Sequence, residues 1–116
     1  MPHHRVFHIA DHLQPNDGEP IRSVVQATAD AAIVAWTVKP GQHISPHVHP
    51  HGQDTWTILA GVGAYQVDAA GQTVRIAAGD VVVAPAGAVH GVRNIGAQAL
   101  VFVSVVSPAD SGYEAL

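Results

Sequence analysis

Three histidines at every second position are the residues of this chain best suited to carry chemistry: His47, His49 and His51. Alternate side chains of an extended strand point to the same side, so this spacing would aim three imidazoles one way. Neutral imidazole is a common metal ligand near neutral pH, and an oxygen of Gln53 or Asp54 would complete a mixed nitrogen and oxygen shell. The stretch predicts a metal site, and the simpler interpretation is a surface loop in which histidines happen to cluster.

The composition excludes several classes of function. A chain of 116 residues forms one domain that buries about two-thirds of its unfolded surface. It contains no cysteine, which excludes disulfides, thiolate metal ligands and a thiol nucleophile. The formal net charge is −4 with five Lys and Arg, so we expect no nucleic-acid partner.

Location and self-association are also suggested by the composition. The apolar run at residues 97–106 is too short to span a bilayer, and the sequence shows no signal-peptide pattern. We therefore expect a cytoplasmic protein without a membrane partner. Only 12% of the residues are charged while 47% are hydrophobic. A small domain of that kind often covers part of its surface with another subunit, which predicts a homodimer.

Short runs rich in Val and Ile, separated by Gly, Pro and Asp, fill the chain from residue 20 onward. The runs lie at residues 21–28, 31–38, 54–59, 63–67, 73–77, 81–84, 91–95 and 100–106. No stretch of 12 residues has a sustained helical period. Eight to ten short strands indicate an all-β sandwich or barrel, and we expect the tail after Pro108 to be irregular.

The amino-terminal segment contains four further histidines. Residues 5–10 are predicted to form a strand followed by a loop at residues 14–18. Residues four apart on a strand lie about 13 Å from one another, too far to chelate one ion. We therefore interpret these histidines as solvated: they are His3, His4, His8 and His12.

A second motif strengthens the interpretation of the first as a metal site. Residues 79–94 have the spacing G-x5-P-x-G-x2-H-x3-N, and residues 41–61 have G-x5-H-x-H-x4-D-x6-G. The pair resembles the two signature motifs of the cupin superfamily, with Asp54 where that family usually has Glu. The resemblance implies a small, single-domain, bacterial-type cupin over residues 1–116, with its barrel core at about residues 20–107. Its fold would be a double-stranded β-helix, or jelly roll, of six to eight strands.

The resemblance also implies a ligand set for one divalent transition metal ion, of which Fe, Mn, Zn, Ni and Co are candidates. The implied ligands are His47, His49, Asp54 and His90. Gln53 is the alternative to Asp54, and a shell of three histidines with water is a third arrangement. Strand alternation favours Asp54, because an inward Asp54 also buries Trp56. Three imidazoles and a carboxylate leave two octahedral positions for water, O₂ or a chelating substrate.

Residues around the implied site are candidates for acid–base and pocket-lining roles. His51 is flanked by Pro50 and Gly52, which predict a turn, and we expect it at the pocket mouth as an acid or base. The alternative is an exposed loop histidine. A substrate pocket would take its lining from the large aromatic residues, unless these only form the core. The candidates are Trp36, Trp56 and Phe102.

Three polar residues complete the set of candidates. Asn94 shares strand parity with His90, and we expect its amide to tie loops together. Arg75 and Arg93 could grip a substrate carboxylate, although a solvated face is the simpler interpretation of both.

The function that follows is a metal-dependent enzyme of the dioxygenase type, acting on a small oxygen-bearing substrate. Two alternatives remain open. One is non-redox isomerase or lyase chemistry on a sugar acid, in which the ion only polarises a carbonyl. The other is a module that binds a metal or a small ligand without turnover.

Overall fold

Two antiparallel sheets of five strands each make up the protein in a computed structural model that describes residues 5–116. The strands are β1 (Ser23–Ala27), β2 (Ala32–Val38), β3 (His43–Val48), β4 (Gln53–Ala60), β5 (Val62–Gln66), β6 (Thr73–Ala77), β7 (Val81–Ala84), β8 (His90–Asn94), β9 (Leu100–Ser107) and β10 (Glu114–Ala115). The first sheet has the order β1-β2-β9-β4-β7 and the second β10-β3-β8-β5-β6. This arrangement confirms the predicted all-β jelly roll.

The core lies between the two sheets and is built from alternate residues of each strand. On β4 the inward residues are Asp54, Trp56 and Ile58, all almost fully buried. Phe102 of β9 stacks on Trp56 with ring centroids 4.2 Å apart. Thr57 of β4 faces outward and is exposed. The alternation expected for β4 from the apolar pattern is therefore the one observed.

The amino-terminal segment differs from the sequence-based prediction. Residues 5–10 do not form a strand; a short 3₁₀ helix, Ile9–His12, follows an irregular stretch and contacts β1. The apolar run is too short to form a sheet edge of its own, and Val6 remains 62% exposed. His8 is exposed and His12 half-buried, whereas His3 and His4 lie outside the described residues.

The tail after Pro108 also differs from the prediction. It was expected to be irregular, but β10 pairs with β3, placing Ala115 opposite His47. A two-residue strand carries no period that a sequence could reveal. It forms here because the outer edge of β3 offers unpaired backbone groups to the chain that passes beside it.

No helix among residues 5–116 has the length and apolar character needed to cross a membrane.

The Asn94 side chain connects the end of β2 to the loop between β8 and β9, in keeping with the scaffold role expected for its amide. Its amide nitrogen donates to the carbonyl oxygens of Val38 and Gln98 at 2.8 and 2.7 Å, and its oxygen accepts from the Gly96 N–H at 2.8 Å. The side chain is buried. One side chain therefore provides a hydrogen-bond partner for three backbone groups.

Replacing Asn94 with Ala should lower the free energy of unfolding by about 2–4 kcal/mol, because a buried side chain is truncated and three backbone hydrogen bonds are lost, one of them fully buried. Chemical denaturation measures this change. The matched control is Asn16→Ala, which removes one exposed bond to the Glu19 carbonyl and should cost less than about 1 kcal/mol. Equal losses in the two variants would contradict the scaffold role of Asn94.

Candidate metal centre

Four side chains from both sheets converge at one end of the core. His47 lies on β3, His49 just after it, Asp54 on β4 and His90 at the start of β8. One nitrogen or oxygen from each lies within 4.8 Å of every other. The strand pairing explains the convergence, because His47 is directly opposite His90 in the second sheet and Asp54 faces them from the first.

Each histidine of this cluster is oriented by a main-chain carbonyl. The Nδ1 atoms of His47, His49 and His90 contact the carbonyl oxygens of Ser45, Gly112 and Ala88 at 2.8, 2.7 and 3.0 Å. A carbonyl oxygen only accepts hydrogen bonds, so Nδ1 carries the proton in all three rings. The Nε2 lone pairs are left for the centre of the cluster, which is how metal-ligating histidines are usually held.

Asp54 supplies the oxygen of the cluster. Its Oδ1 accepts a hydrogen bond of 2.6 Å from the Ser104 hydroxyl, and its Oδ2 lies 3.0 Å from His90 Nε2 and 3.5 Å from His49 Nε2. Burial raises the pKa of Asp54, but hydrogen bonds from His49 and His90, when these rings carry a second proton on Nε2, and from the Ser104 hydroxyl outweigh burial and hold that pKa well below its usual range. The side chain is therefore a carboxylate at neutral pH.

The pairing of His90 with Asp54 requires a cation. His90 already donates its Nδ1–H to Ala88, so its neutral form turns a lone pair toward the carboxylate oxygen 3.0 Å away. Two lone pairs at that distance are stable only with a second proton or a metal ion between them. Three imidazole nitrogens and one carboxylate oxygen suit a divalent transition metal better than Mg²⁺ or Ca²⁺, so the residues present fit such an ion.

The pKa values of His47 and His49 are shifted in opposite directions. Burial is the main cause that lowers the pKa of His47, with the charges of His90 and His49 acting in the same direction. The hydrogen bond with Asp54 is the main cause that raises the pKa of His49 above its ordinary value of 6.5. His47 is thus ready to bind a metal near neutral pH, whereas a proton competes for His49.

The other predicted site residues lie outside the cluster. The Gln53 side chain is exposed on the outer face, where its Nε2 donates to Thr55 Oγ1 at 3.2 Å. His51 lies in the predicted turn between β3 and β4, and its side chain is exposed. Asp54 is thus the inward oxygen donor of this segment, and a role of His51 as acid or base stays a prediction.

A cavity of about 530 Å³ adjoins the cluster, and His47, His49 and Asp54 form part of its wall. Trp36 and Trp56 line it, together with aliphatic residues. Phe102 does not reach the cavity, because it is fully buried and packs against both tryptophans. Two of the three predicted aromatic residues therefore face this space.

The carboxy-terminal segment contributes to the cluster, which the sequence did not predict. The Gly112 carbonyl orients His49, and the Tyr113 ring stacks on His47 with centroids 5.0 Å apart. The Ser111 carbonyl accepts from the His51 N–H at 2.8 Å. Backbone contacts of this kind leave no residue spacing by which to recognise them. Ser104 was not predicted from the sequence either, because a single Ser carries no motif.

Comparison with known proteins agrees with the fold and the cluster. The profile of the cupin domain family matches residues 34–106, the part of the chain that carries all four clustered residues. The chain belongs to the cupin family. No curated protein matches the sequence.

Solved structures of other cupin-like proteins superpose closely on this cupin. An uncharacterized conserved protein with a double-stranded β-helix domain from Klebsiella pneumoniae is 44% identical, with a TM-score of 0.94 over 97% of each chain. TT1209 from Thermus thermophilus is 25% identical, with a TM-score of 0.82 over 90% of this chain and 97% of its own. An RmlC-like cupin from Desulfovibrio desulfuricans is 24% identical, with a TM-score of 0.77 over 94% and 98%, and shows the fold alone.

Removing residues 111–116 should weaken metal binding by about 10- to 100-fold, because His49 loses the carbonyl that orients it. Competition with a chromophoric chelator measures the affinity. The control removes only residues 115–116 and keeps the Gly112 carbonyl. Equal affinities for the two shortened chains, both folded by circular dichroism, would show that the tail does not hold His49 for the metal.

Metal affinity should also decrease as the pH is lowered. Binding needs neutral His49, and the pKa of His49 is raised above 6.5, so protons begin to compete above that value. Below that pKa the affinity should drop about tenfold per pH unit as one proton is displaced per ion. The His51→Gln variant should show the same slope. An affinity that is constant from pH 8 to pH 6, measured by chelator competition, would contradict this assignment.

Proposed function

We propose that this cupin is a metal-dependent enzyme of the dioxygenase type that acts on a small oxygen-bearing substrate. One divalent transition metal ion would be held by the four residues of the cluster. The observation that supports this proposal is that four metal-binding atoms converge within 4.8 Å at the wall of a cavity of about 530 Å³. A cluster with no neighbouring space would instead favour a structural ion.

The chain supplies a rigid ligand shell. Main-chain carbonyls fix the three imidazoles, and Ser104 fixes Asp54, so the donors need little rearrangement to bind. A bound iron or manganese ion would supply oxygen chemistry and would polarise substrate oxygen atoms. Apolar residues on the remaining wall would exclude water from the reacting groups. They include Val34, Trp36, Ile44, Trp56 and Val106.

Elemental analysis of protein purified without a histidine tag tests the proposal. We expect about one equivalent of iron or manganese per chain and substrate-dependent O₂ uptake in a screen of small oxygen-bearing compounds. The double variant His47→Ala, His49→Ala should lose the metal and keep the barrel fold, because cupin strands do not depend on these imidazoles for their core. The control variant His8→Ala, His12→Ala should keep the full equivalent.

Other outcomes distinguish the alternatives. Full occupancy by zinc or nickel without O₂ uptake would favour the non-redox isomerase or lyase function. No metal even after reconstitution would contradict the metal-dependent enzyme and leave a ligand-binding module. If the double variant retained a full equivalent of metal, the assignment of His47 and His49 as ligands would be wrong.

We also propose that the protein is a homodimer that associates through the outer face of the first sheet. Strand pairing places two rows on this face, which we call the valine face, and neither row contains a charged residue. The rows are Ile33, Val105, Thr55, Val83 and Val103, Thr57, Val81; Ala35 continues the second row but is already buried within the chain. The outer face of the second sheet instead carries Arg75 and Arg93.

A second copy is the partner that this face fits best. Strands with apolar residues on both sides are typical of sheets covered on both sides, and β7 and β9 have that pattern. Val81 and Val83 are nonetheless 59% and 49% exposed in the single chain. A two-fold axis would bring the face against itself, and a face without charges does not repel its own copy.

Light scattering after size exclusion should give a dimer mass for the wild type. Val83→Asp should yield monomers, because the carboxylate would be buried without a partner in the interface. Thr73→Asp, on the exposed outer side of β6, is the control and should stay dimeric. A monomeric wild type, or a dimer unaffected by Val83→Asp, would contradict the valine face as the interface.

A further inference from the structure

The cavity beside the metal cluster has one cationic side chain in its wall. Arg22, just before β1, lines the cavity, and the other four Lys and Arg residues of the chain do not. One Lys–Asp ion pair and two His–Asp contacts occur within residues 5–116, and Arg22 takes part in none of them. Its guanidinium is thus left with five donors and no carboxylate partner among the described residues.

The cavity wall combines metal-binding, apolar and charged side chains. The nitrogen and oxygen ligands form its buried inner end, where Asp54 is 4% exposed. Apolar side chains, among them Trp36 and Trp56, form another part of the wall. Arg22 and residues 110–113 complete the lining, and the side chains of Arg22 and Asp110 are exposed to solvent. Arg22 therefore borders the opening of the same cavity that the cluster lines.

The charges of the wall favour an anionic ligand. With neutral imidazoles, a divalent ion exceeds the single charge of Asp54, so the inner end would be positive. At the opening Asp110 opposes Arg22 in charge, but the two residues form no ion pair. The loaded cavity would thus keep a net positive charge although the chain as a whole carries −4. Local charge of one sign in a cleft with apolar walls concentrates ligands of the other sign.

We propose that Arg22 binds a carboxylate of the substrate and that the substrates are small organic acids with metal-chelating oxygens at their other end. This assignment rests on the proposed metal-dependent function. A guanidinium matches a carboxylate in a bidentate geometry and stays charged at all working pH values. Arg22 is then a residue that determines specificity, while the cluster performs the chemistry. Arg75 and Arg93, the arginines suggested by the sequence, lie on the opposite face of the second sheet from the core.

Two hydroxamates that differ by one carboxylate test the assignment on zinc-loaded protein. Acetohydroxamate offers only the chelating group, whereas succinic acid monohydroxamate adds a carboxylate on a short chain. Titration calorimetry gives both dissociation constants, and the fluorescence of the two tryptophans in the wall provides a second readout. The wild type should bind the carboxylate probe at least about tenfold more tightly, as expected for one charge-assisted contact.

Arg22→Gln should abolish this preference and leave the affinity for acetohydroxamate unchanged, which also shows that the variant is folded and loaded. Arg22→Lys should keep part of the preference, because the charge remains while the bidentate geometry is lost. Arg75→Gln, which removes an exposed arginine on β6, is the matched control and should behave as the wild type.

The outcomes separate this inference from the proposed function. Zinc and acetohydroxamate binding without a preference for the carboxylate probe would overturn the role of Arg22 and leave the metal site intact. A preference that survives Arg22→Gln would have the same meaning. A wild type that takes up no zinc would instead overturn the metal site itself, and the assignment of Arg22 with it.

Discussion

The convergence of four electron-rich atoms in a buried place is the constraint on which the rest of this structure depends. Three imidazole nitrogens and a carboxylate oxygen lie within 4.8 Å of one another, and three of the four side chains are buried. Such an arrangement is unfavourable without a cation, yet the fold supports it with fixed hydrogen bonds on the far side of every ring. The sheets supply the frame: β3 and β8 align two ligands by register, and β4 brings the carboxylate from the opposite sheet.

The metal cluster and the apolar core take side chains from the same strands, and β4 contributes to both from its inward face. Asp54 near the start of β4 shares one face of the strand with Trp56 and Ile58. The first part of β4 therefore contributes a candidate metal ligand, and the rest of the strand contributes to the apolar core. Ser104 on β9 matches this change, because its hydroxyl supports Asp54 where neighbouring inward positions are apolar. One oxygen of the buried carboxylate thus has a hydrogen-bond partner within the core, and the other faces the cluster.

Much of this could be predicted from the sequence, for physical reasons that differ between elements. The strands at residues 54–59 and 100–106 were evident because apolar alternation and turn residues are local signals. The inward choice of Asp54 over Gln53 followed from the same alternation. The prediction of a strand at residues 5–10 was wrong because the few apolar residues of this segment do not fix a sheet edge. Phe102 is a large aromatic residue of the kind that can line a pocket. It is instead fully buried against the tryptophans, and such packing is not visible in a sequence.

The contacts of residues 111–113 have a consequence for how the site is completed. The acceptor for His49 is the Gly112 carbonyl, which lies 63 positions further along the chain. The other three ligands, His47, Asp54 and His90, all precede it in the sequence. All four ligand side chains are therefore synthesised before the group that orients one of them. The ligand shell is complete only when two segments that are distant in the sequence have folded against each other.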